Sequence, residues 1–113
     1  MLTQSPNQIR IYQRLQINLE ELTKFCQANL ISELAVFGSI LRDDFSSESD
    51  LDLLISYLPS ASRGLLEKIE LKEKFEKLFN RPVDLISKTS MEKSKNWLKL
   101  QESLSLAEVI YHA

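Results

Sequence analysis

The sequence predicts an α/β or α+β domain built on one small β-sheet. Its 113 residues are close to the commonest size of a single domain. Hydrophobic residues make up 43% and charged residues 27%, values that are typical of a globular protein and exclude a disordered chain. Segments with helical periodicity alternate with short apolar runs, as in domains whose helices pack on a sheet. We therefore expect one domain over residues 1–113.

The N-terminal segment predicts one amphipathic helix over about residues 5–29. Ser5 is a suitable N-cap, and Pro6 then occupies the first helical position, where proline is favoured. Apolar residues recur behind it at steps of three and four, which is the spacing of one helix face. This face consists of Ile9, Tyr12, Leu15, Leu19, Leu22, Phe25 and Cys26.

A second amphipathic helix is predicted over residues 63–79, and a shorter third helix follows it. The apolar residues expected to face inward from the second helix are Leu66, Ile69, Phe75, Leu78 and Phe79. Thr89 with Glu92 three residues later matches the capping-box pattern, which predicts a helix that reaches Leu98.

Four short apolar runs predict strands, because each is too short for a typical helix and is bounded by turn residues. They lie at residues 34–37, 51–57, 82–86 and 106–111. We therefore expect the N-terminal helix to be followed by the core of the domain, at about residues 30–112, which carries the sequence motifs of the chain.

Charge and composition exclude several classes of function. The net charge is −2 and the pI about 5.4, so we expect no extended nucleic-acid binding surface. No apolar run approaches the roughly 18 residues that span a bilayer, and the first residues lack the pattern of a signal peptide. Cys26 is the single cysteine, which fits a reducing compartment. These observations favour a cytoplasmic protein with no membrane segment.

A turn that could hold a phosphate follows the first strand. Gly38 has no side chain, so an anion can approach its backbone, and the Ser39 hydroxyl adds a donor. Arg42 lies three residues further on and could offset the charge of a triphosphate. Taken alone, Gly-Ser also fits an ordinary turn between elements, and Arg42 also fits a surface ion pair with Asp43 or Asp44.

Three aspartates form a candidate carboxylate site. Asp50 and Asp52 are two residues apart at the head of a strand, so alternation points both side chains to one face. Asp84 interrupts the apolar strand over residues 82–86 and joins the pair if the two strands are neighbours. Such carboxylates could bind Mg²⁺ or Mn²⁺ together with substrate phosphates, or Asp84 could take a proton from an acceptor hydroxyl. A polar strand edge remains the alternative for each.

In combination, these motifs resemble the signature of the nucleotidyltransferase superfamily that includes DNA polymerase beta. The signature has Gly-Ser, ten residues, Asp-x-Asp, and a third Asp on a later strand. Gly38-Ser39, Asp50-Leu51-Asp52 and Asp84 match it. Arg42 and Ser49 also resemble the short stand-alone members, called minimal nucleotidyltransferase or MNT domains. Ile40-Leu41 departs from the more polar pair of many relatives.

The resemblance implies an α+β fold like the polymerase palm, a small mixed sheet with helices packed on one side. It further implies ATP as donor, Asp50, Asp52 and Asp84 as catalytic metal ligands, and Gly38, Ser39, Arg42 and Ser49 as nucleotide-binding residues. Stand-alone members act as antitoxins that adenylylate a tyrosine of a HEPN ribonuclease toxin. We therefore expect a hetero-oligomer with such a toxin. A contact-only antitoxin and a small-molecule nucleotidyltransferase are the alternatives.

Overall fold

A computed structural model describes residues 6–46, 48–61, 64–87 and 107–113. The described elements, in chain order, are helix α1 (Pro6–Leu15), helix α2 (Leu19–Ala28), strand β1 (Ile31–Phe37), a 3₁₀ turn (Gly38–Leu41), strand β2 (Leu51–Tyr57), helix α3 (Leu65–Phe79), strand β3 (Val83–Ser87) and strand β4 (Glu108–His112). The predicted cap at Ser5 and the predicted helix from Thr89 to Leu98 lie outside the described residues.

The four strands form one mixed sheet in the order β3-β2-β1-β4. Strand β1 pairs antiparallel with both β2 and β4, whereas β2 and β3 are parallel. The parallel pair is possible because α3 carries the chain back across the sheet between these two strands. This confirms the expected α+β fold with a small mixed sheet.

The described helices pack on one face of the sheet. Alternate strand residues such as Val36, Leu53 and Leu85 join buried residues of all three helices in one core cluster. Residues of the opposite phase, among them Ala35 and Leu54, form a second and smaller cluster on the other face. The two faces of the sheet therefore have different surroundings, and the second phase includes Asp52 and Asp84.

The predicted helix over residues 5–29 is wrong in one respect, because the chain forms two helices there. Gln16 adopts a left-handed conformation with φ 56°, which ends α1. Asn18 then caps α2 by accepting a hydrogen bond from the Glu21 backbone N–H at 2.8 Å. Ile17, between the two helices, is buried. Capping by a short polar side chain thus prevails over an apolar periodicity that runs through the break.

The predicted inward faces also need correction. Ile9 is 44% exposed, and α1 instead buries Ile11 with Tyr12 and Leu15. On α3, Leu66 and Ile69 are 66% and 47% exposed, although Phe75, Leu78 and Phe79 do pack inward. The N-terminal part of α3 therefore lies outside the core, and only its later turns are anchored. No helix within the described ranges is long and apolar enough to cross a membrane.

Candidate active site

Strand β2 presents the first two predicted carboxylates. Leu51 and Leu53 are fully buried in the core on the helix side of the sheet. Asp52, between them, therefore projects from the opposite face and is half-buried, and Asp50, just before the strand, is exposed. Leu51, Asp52 and Leu53 therefore alternate between the two faces as the sequence predicts. Asp50 precedes the strand, and a shared face with Asp52 stays a prediction.

Asp84 joins this pair through strand register. In the parallel pair of β2 and β3, Asp84 is the direct partner of Asp52, just as Val83 is the partner of Leu51. The Leu51 backbone N–H donates to the Pro82 carbonyl at 2.9 Å, which aligns the first residues of the two strands. Two carboxylates that are distant in sequence are thereby brought side by side.

Gly38 brings the preceding turn against the same carboxylate. Its φ of 80° lies in the region that favours glycine, and Phe37 just before it is the register partner of Asp52. A Cβ atom placed on Gly38 would lie 2.2 Å from Oδ2 of Asp52. Glycine is therefore needed here for two reasons, the backbone conformation and the approach of Asp52.

Burial and neighbouring negative charge together set the electrostatics of the site. Burial raises the pKa of Asp52 above its ordinary value, and the carboxylates of Asp84 and Asp50 raise it further. Arg42 acts in the opposite direction and lowers that pKa. The charges of Asp50, Asp84 and Arg42 therefore all act on Asp52. A cation placed among the three carboxylates would relieve their repulsion.

The donor chemistry of these residues fits a magnesium ion that is completed by substrate. Carboxylate oxygens are the ligands that Mg²⁺ prefers, and it commonly takes one or two of them with phosphates and waters. Within the described ranges, no three His, Cys, Asp or Glu side chains are grouped closely enough to hold a metal ion unaided. Phosphate oxygens from a nucleotide would supply the remaining ligands.

The predicted phosphate-binding side chains lie around this carboxylate group. The Ser39 hydroxyl donates to the Asp50 backbone carbonyl at 3.3 Å. Arg42 forms an ion pair with Asp44 at 3.2 Å, and both side chains are largely exposed. Such an exposed pair contributes little free energy, so a triphosphate could replace Asp44 as the partner of Arg42.

Ser49 has a structural part in the loop that leads to β2. We call residues 42–50 the site loop; its residue 47 lies outside the described ranges. The Ser49 hydroxyl accepts a hydrogen bond from the Ser46 backbone N–H at 2.9 Å, and the Ser49 N–H donates to the Ser46 carbonyl at 3.1 Å. These two bonds close a compact turn just before Asp50.

Sequence reasoning missed two arginines that hold the site loop from other elements. Arg14 of α1 donates through Nη1 to the carbonyls of Ile40 and Arg42, and Arg81 after α3 donates through Nη1 to those of Ser46 and Ser49. The separations are 26 to 35 residues, so no local spacing pattern could reveal them. The only sequence signal was the place of Arg81 just before the strand that carries Asp84.

Comparison with known proteins identifies similar sequences and folds. Residues 19–110 match the family model described as "Nucleotidyltransferase domain". The protein adenylyltransferase MntA of Thermococcus cleftensis is 40% identical over 63 residues, which cover 54% of this chain and 60% of MntA. The chain spans about 60% of the length of several curated relatives that it matches.

Two solved complexes contain a chain of similar fold. A toxin–antitoxin complex with AMP-PNP matches with a TM-score of 0.64 at 16% identity, over 86% of this chain and 75% of that chain. A complex of the tri-AMPylated HEPN toxin of Shewanella oneidensis with an MNT antitoxin matches with a TM-score of 0.58 at 17% identity, over 88% and 73% of the two chains. At these identities the likeness concerns the fold.

Proposed function

The chain belongs to the nucleotidyltransferase domain family, and from this premise we propose that it transfers AMP from ATP to a hydroxyl group. The observation that carries the proposal is the register of Asp52 with Asp84, beside a glycine turn that leaves room for the Asp52 carboxylate. A domain that only binds a partner has no need of a carboxylate group in which burial, and then the charges of Asp84 and Asp50, raise the pKa of Asp52.

The chain's own residues have separable parts in the proposed transfer. Asp50 and Asp52 would hold Mg²⁺, or Mn²⁺, against the triphosphate, and the bound ion would stabilise the negative charge of the attacking and leaving oxygens. The Gly38 backbone would approach a phosphate, and the Ser39 hydroxyl would exchange the Asp50 carbonyl for a phosphate oxygen. Arg42 would exchange Asp44 for a phosphate oxygen.

Asp84 is exposed and adjacent to Asp52, so an acceptor hydroxyl can reach it from solvent. In the proposed step the acceptor oxygen forms a bond to the α-phosphorus of ATP. The bond from that phosphorus to the oxygen that bridges to the β-phosphate breaks, and pyrophosphate leaves. Asp84 takes the proton that the acceptor hydroxyl loses.

We propose that the acceptor is a tyrosine of a HEPN ribonuclease toxin and that this chain is its antitoxin in a hetero-oligomer. Support comes from MntA, which is named a protein adenylyltransferase, and from the tri-AMPylated HEPN toxin in complex with an MNT antitoxin. Each adenylate would add a bulky anion that repels RNA phosphates from the toxin. We place the reaction in the cytoplasm, where ATP is available.

The reaction is tested with the chain, its co-purified partner, and ATP labelled at either the α- or the γ-phosphate. AMP transfer predicts label on the partner from α-labelled ATP and none from γ-labelled ATP. Peptide mass spectrometry should then place the adenylate on tyrosine. Label from the γ-position would indicate phosphorylation and refute the proposal, and label on a small molecule alone would favour the small-molecule alternative.

The same assay tests the role of Asp84. Replacement Asp84→Asn keeps the shape of the side chain but removes its ability to take a proton. We expect turnover to fall by roughly 100-fold or more while the ATP dependence changes little, because general base catalysis typically contributes about that factor. Normal turnover in this variant would show that Asp84 is merely a polar strand residue.

A further inference from the structure

The site loop is attached at both ends by arginines that lie outside it, Arg14 on α1 and Arg81 between α3 and β3. Arg14 donates to the Ile40 carbonyl at 2.7 Å and to the Arg42 carbonyl at 2.5 Å. Arg81 donates to the Ser46 carbonyl at 3.1 Å and to the Ser49 carbonyl at 3.2 Å. The first pair of carbonyls lies where the loop leaves the glycine turn, and the second lies just before Asp50.

The ring of Phe45 links the two arginines. The guanidinium carbon of Arg81 lies 4.4 Å from the ring centroid and that of Arg14 lies 5.7 Å from it, both within the range of a cation–π contact. Phe45 itself is partly buried and packs against the main core. The site loop is thus attached to the folded domain at Phe45 as well as at its two ends.

Arg81 is partly shielded from water in this arrangement. Its Nε atom is buried and has no hydrogen-bond partner in the described part of the chain, and burial lowers its pKa. A partly desolvated cation holds its hydrogen-bond acceptors more strongly than a fully exposed one does. Arg10, by contrast, reaches the same loop through an ion pair with Asp43, whose side chain is 98% exposed, and such a pair contributes little.

We propose that Arg14 and Arg81, with Phe45, form a loop clamp that fixes Asp50 and Arg42 relative to Asp52. The two arginines are positioning residues, because they contact the loop backbone and not the reacting groups. Arg14 comes from α1, outside the residues 19–110 that match the family. The catalytic consequence rests on the proposed function, whereas the attachment of the loop does not.

The first test is amide hydrogen exchange of the free chain, which needs no substrate. Arg81→Lys keeps the charge but replaces the planar guanidinium, and the backbone N–H groups of Ser46 and Ser49 report on the turn that it holds. Their exchange should accelerate by roughly tenfold or more, as expected for a loop that opens locally. Arg14→Lys and Phe45→Leu should act in the same direction, and Arg10→Lys is the matched control that should not.

The second test is the magnesium dependence of AMP transfer. With Asp50 less well held, Arg81→Lys should raise the Mg²⁺ concentration for half-maximal transfer by about threefold to tenfold, with a smaller change in the KM for ATP. Unchanged exchange in both lysine variants, or faster exchange with an unchanged Mg²⁺ curve, would overturn the clamp as a positioning device. A wild-type chain that transfers no AMP would refute the proposed function. The difference in amide exchange between wild type and Arg81→Lys would still show whether Arg81 holds the site loop.

Discussion

At the scale of single residues, the site depends on how closely Gly38 approaches Asp52. Any side chain on Gly38 would meet the Asp52 carboxylate, and its φ of 80° disfavours every other residue. The glycine therefore leaves the room that the Asp52 carboxylate occupies, and we assign that carboxylate a catalytic role. The effects of replacing Gly38 on activity and on stability can be compared with the effects of replacing Gly64, the second glycine of the chain.

We predict that Gly38→Ala reduces AMP transfer by on the order of 100-fold, because displacing a catalytic group by ~1 Å can have that effect. The left-handed backbone should also lower the free energy of unfolding by about 1–2 kcal/mol. Gly64→Ala is the control, since its added Cβ meets only the end of the Glu67 side chain and Gly64 has an ordinary negative φ. Transfer assays and denaturant titrations measure both effects; full activity of Gly38→Ala would contradict this placement.

Asp52 should destabilise the free domain at neutral pH. Its pKa is raised in the folded state, so the folded chain holds this proton more tightly than the unfolded chain. The stability contributed by the protonated form is present at low pH and is lost as the pH rises through the raised pKa. The ionised Asp52 carboxylate that the proposed function needs thus lowers the stability of the free domain.

We predict that Asp52→Asn raises the melting temperature of the free chain at pH 7, because it removes a carboxylate that folding destabilises. The rise should be only roughly 1–3 °C, since partial exposure lets solvent screen the repulsion. Mg²⁺ with ATP should stabilise the wild type but not this variant, since the variant lacks a ligand. Asp43→Asn, at a fully exposed loop carboxylate, is the control and should keep the ligand effect. A variant that melts lower than the wild type and is still stabilised by Mg²⁺ with ATP would contradict both claims.

At the scale of elements, the strands were predicted well because each is a short apolar run between turns. The motif spacing also placed Asp52 on β2 and Asp50 directly before it, and the resemblance implied that Asp84 would join them. What sequence could not reveal were the long-range contacts of Arg14 and Arg81, because arginine in a helix or turn has many possible partners. The break between α1 and α2 was missed because apolar spacing continues across it.

The break between α1 and α2 gives a prediction of its own. Gln16 is exposed and has φ 56°, a conformation that glycine adopts without strain. Gln16→Gly should therefore leave stability unchanged or raise it by up to about 1 kcal/mol. Gln13→Gly, at an exposed position inside α1, should lower it by about 1 kcal/mol. Equal losses in the two variants, measured by chemical denaturation, would indicate that α1 continues through Gln16.

At the scale of the whole molecule, one face of a small sheet is packed by helices and the other carries the carboxylates. Family membership and fold account for this arrangement. They leave open whether neutralisation of a toxin depends on transfer or on contact. The proposed transfer and the proposed contact with a toxin could each neutralise that toxin, so the two contributions must be separated by experiment.

The most direct test is the intact mass of the partner toxin after co-expression with this chain. Wild type is compared with the double variant Asp50→Asn and Asp52→Asn, which should stay folded and retain the binding surface. We predict that wild type adds one or more AMP units to the toxin and relieves growth arrest, and that the double variant does neither. An unmodified toxin that is neutralised equally well by both proteins would contradict the account and show that contact alone is the mechanism.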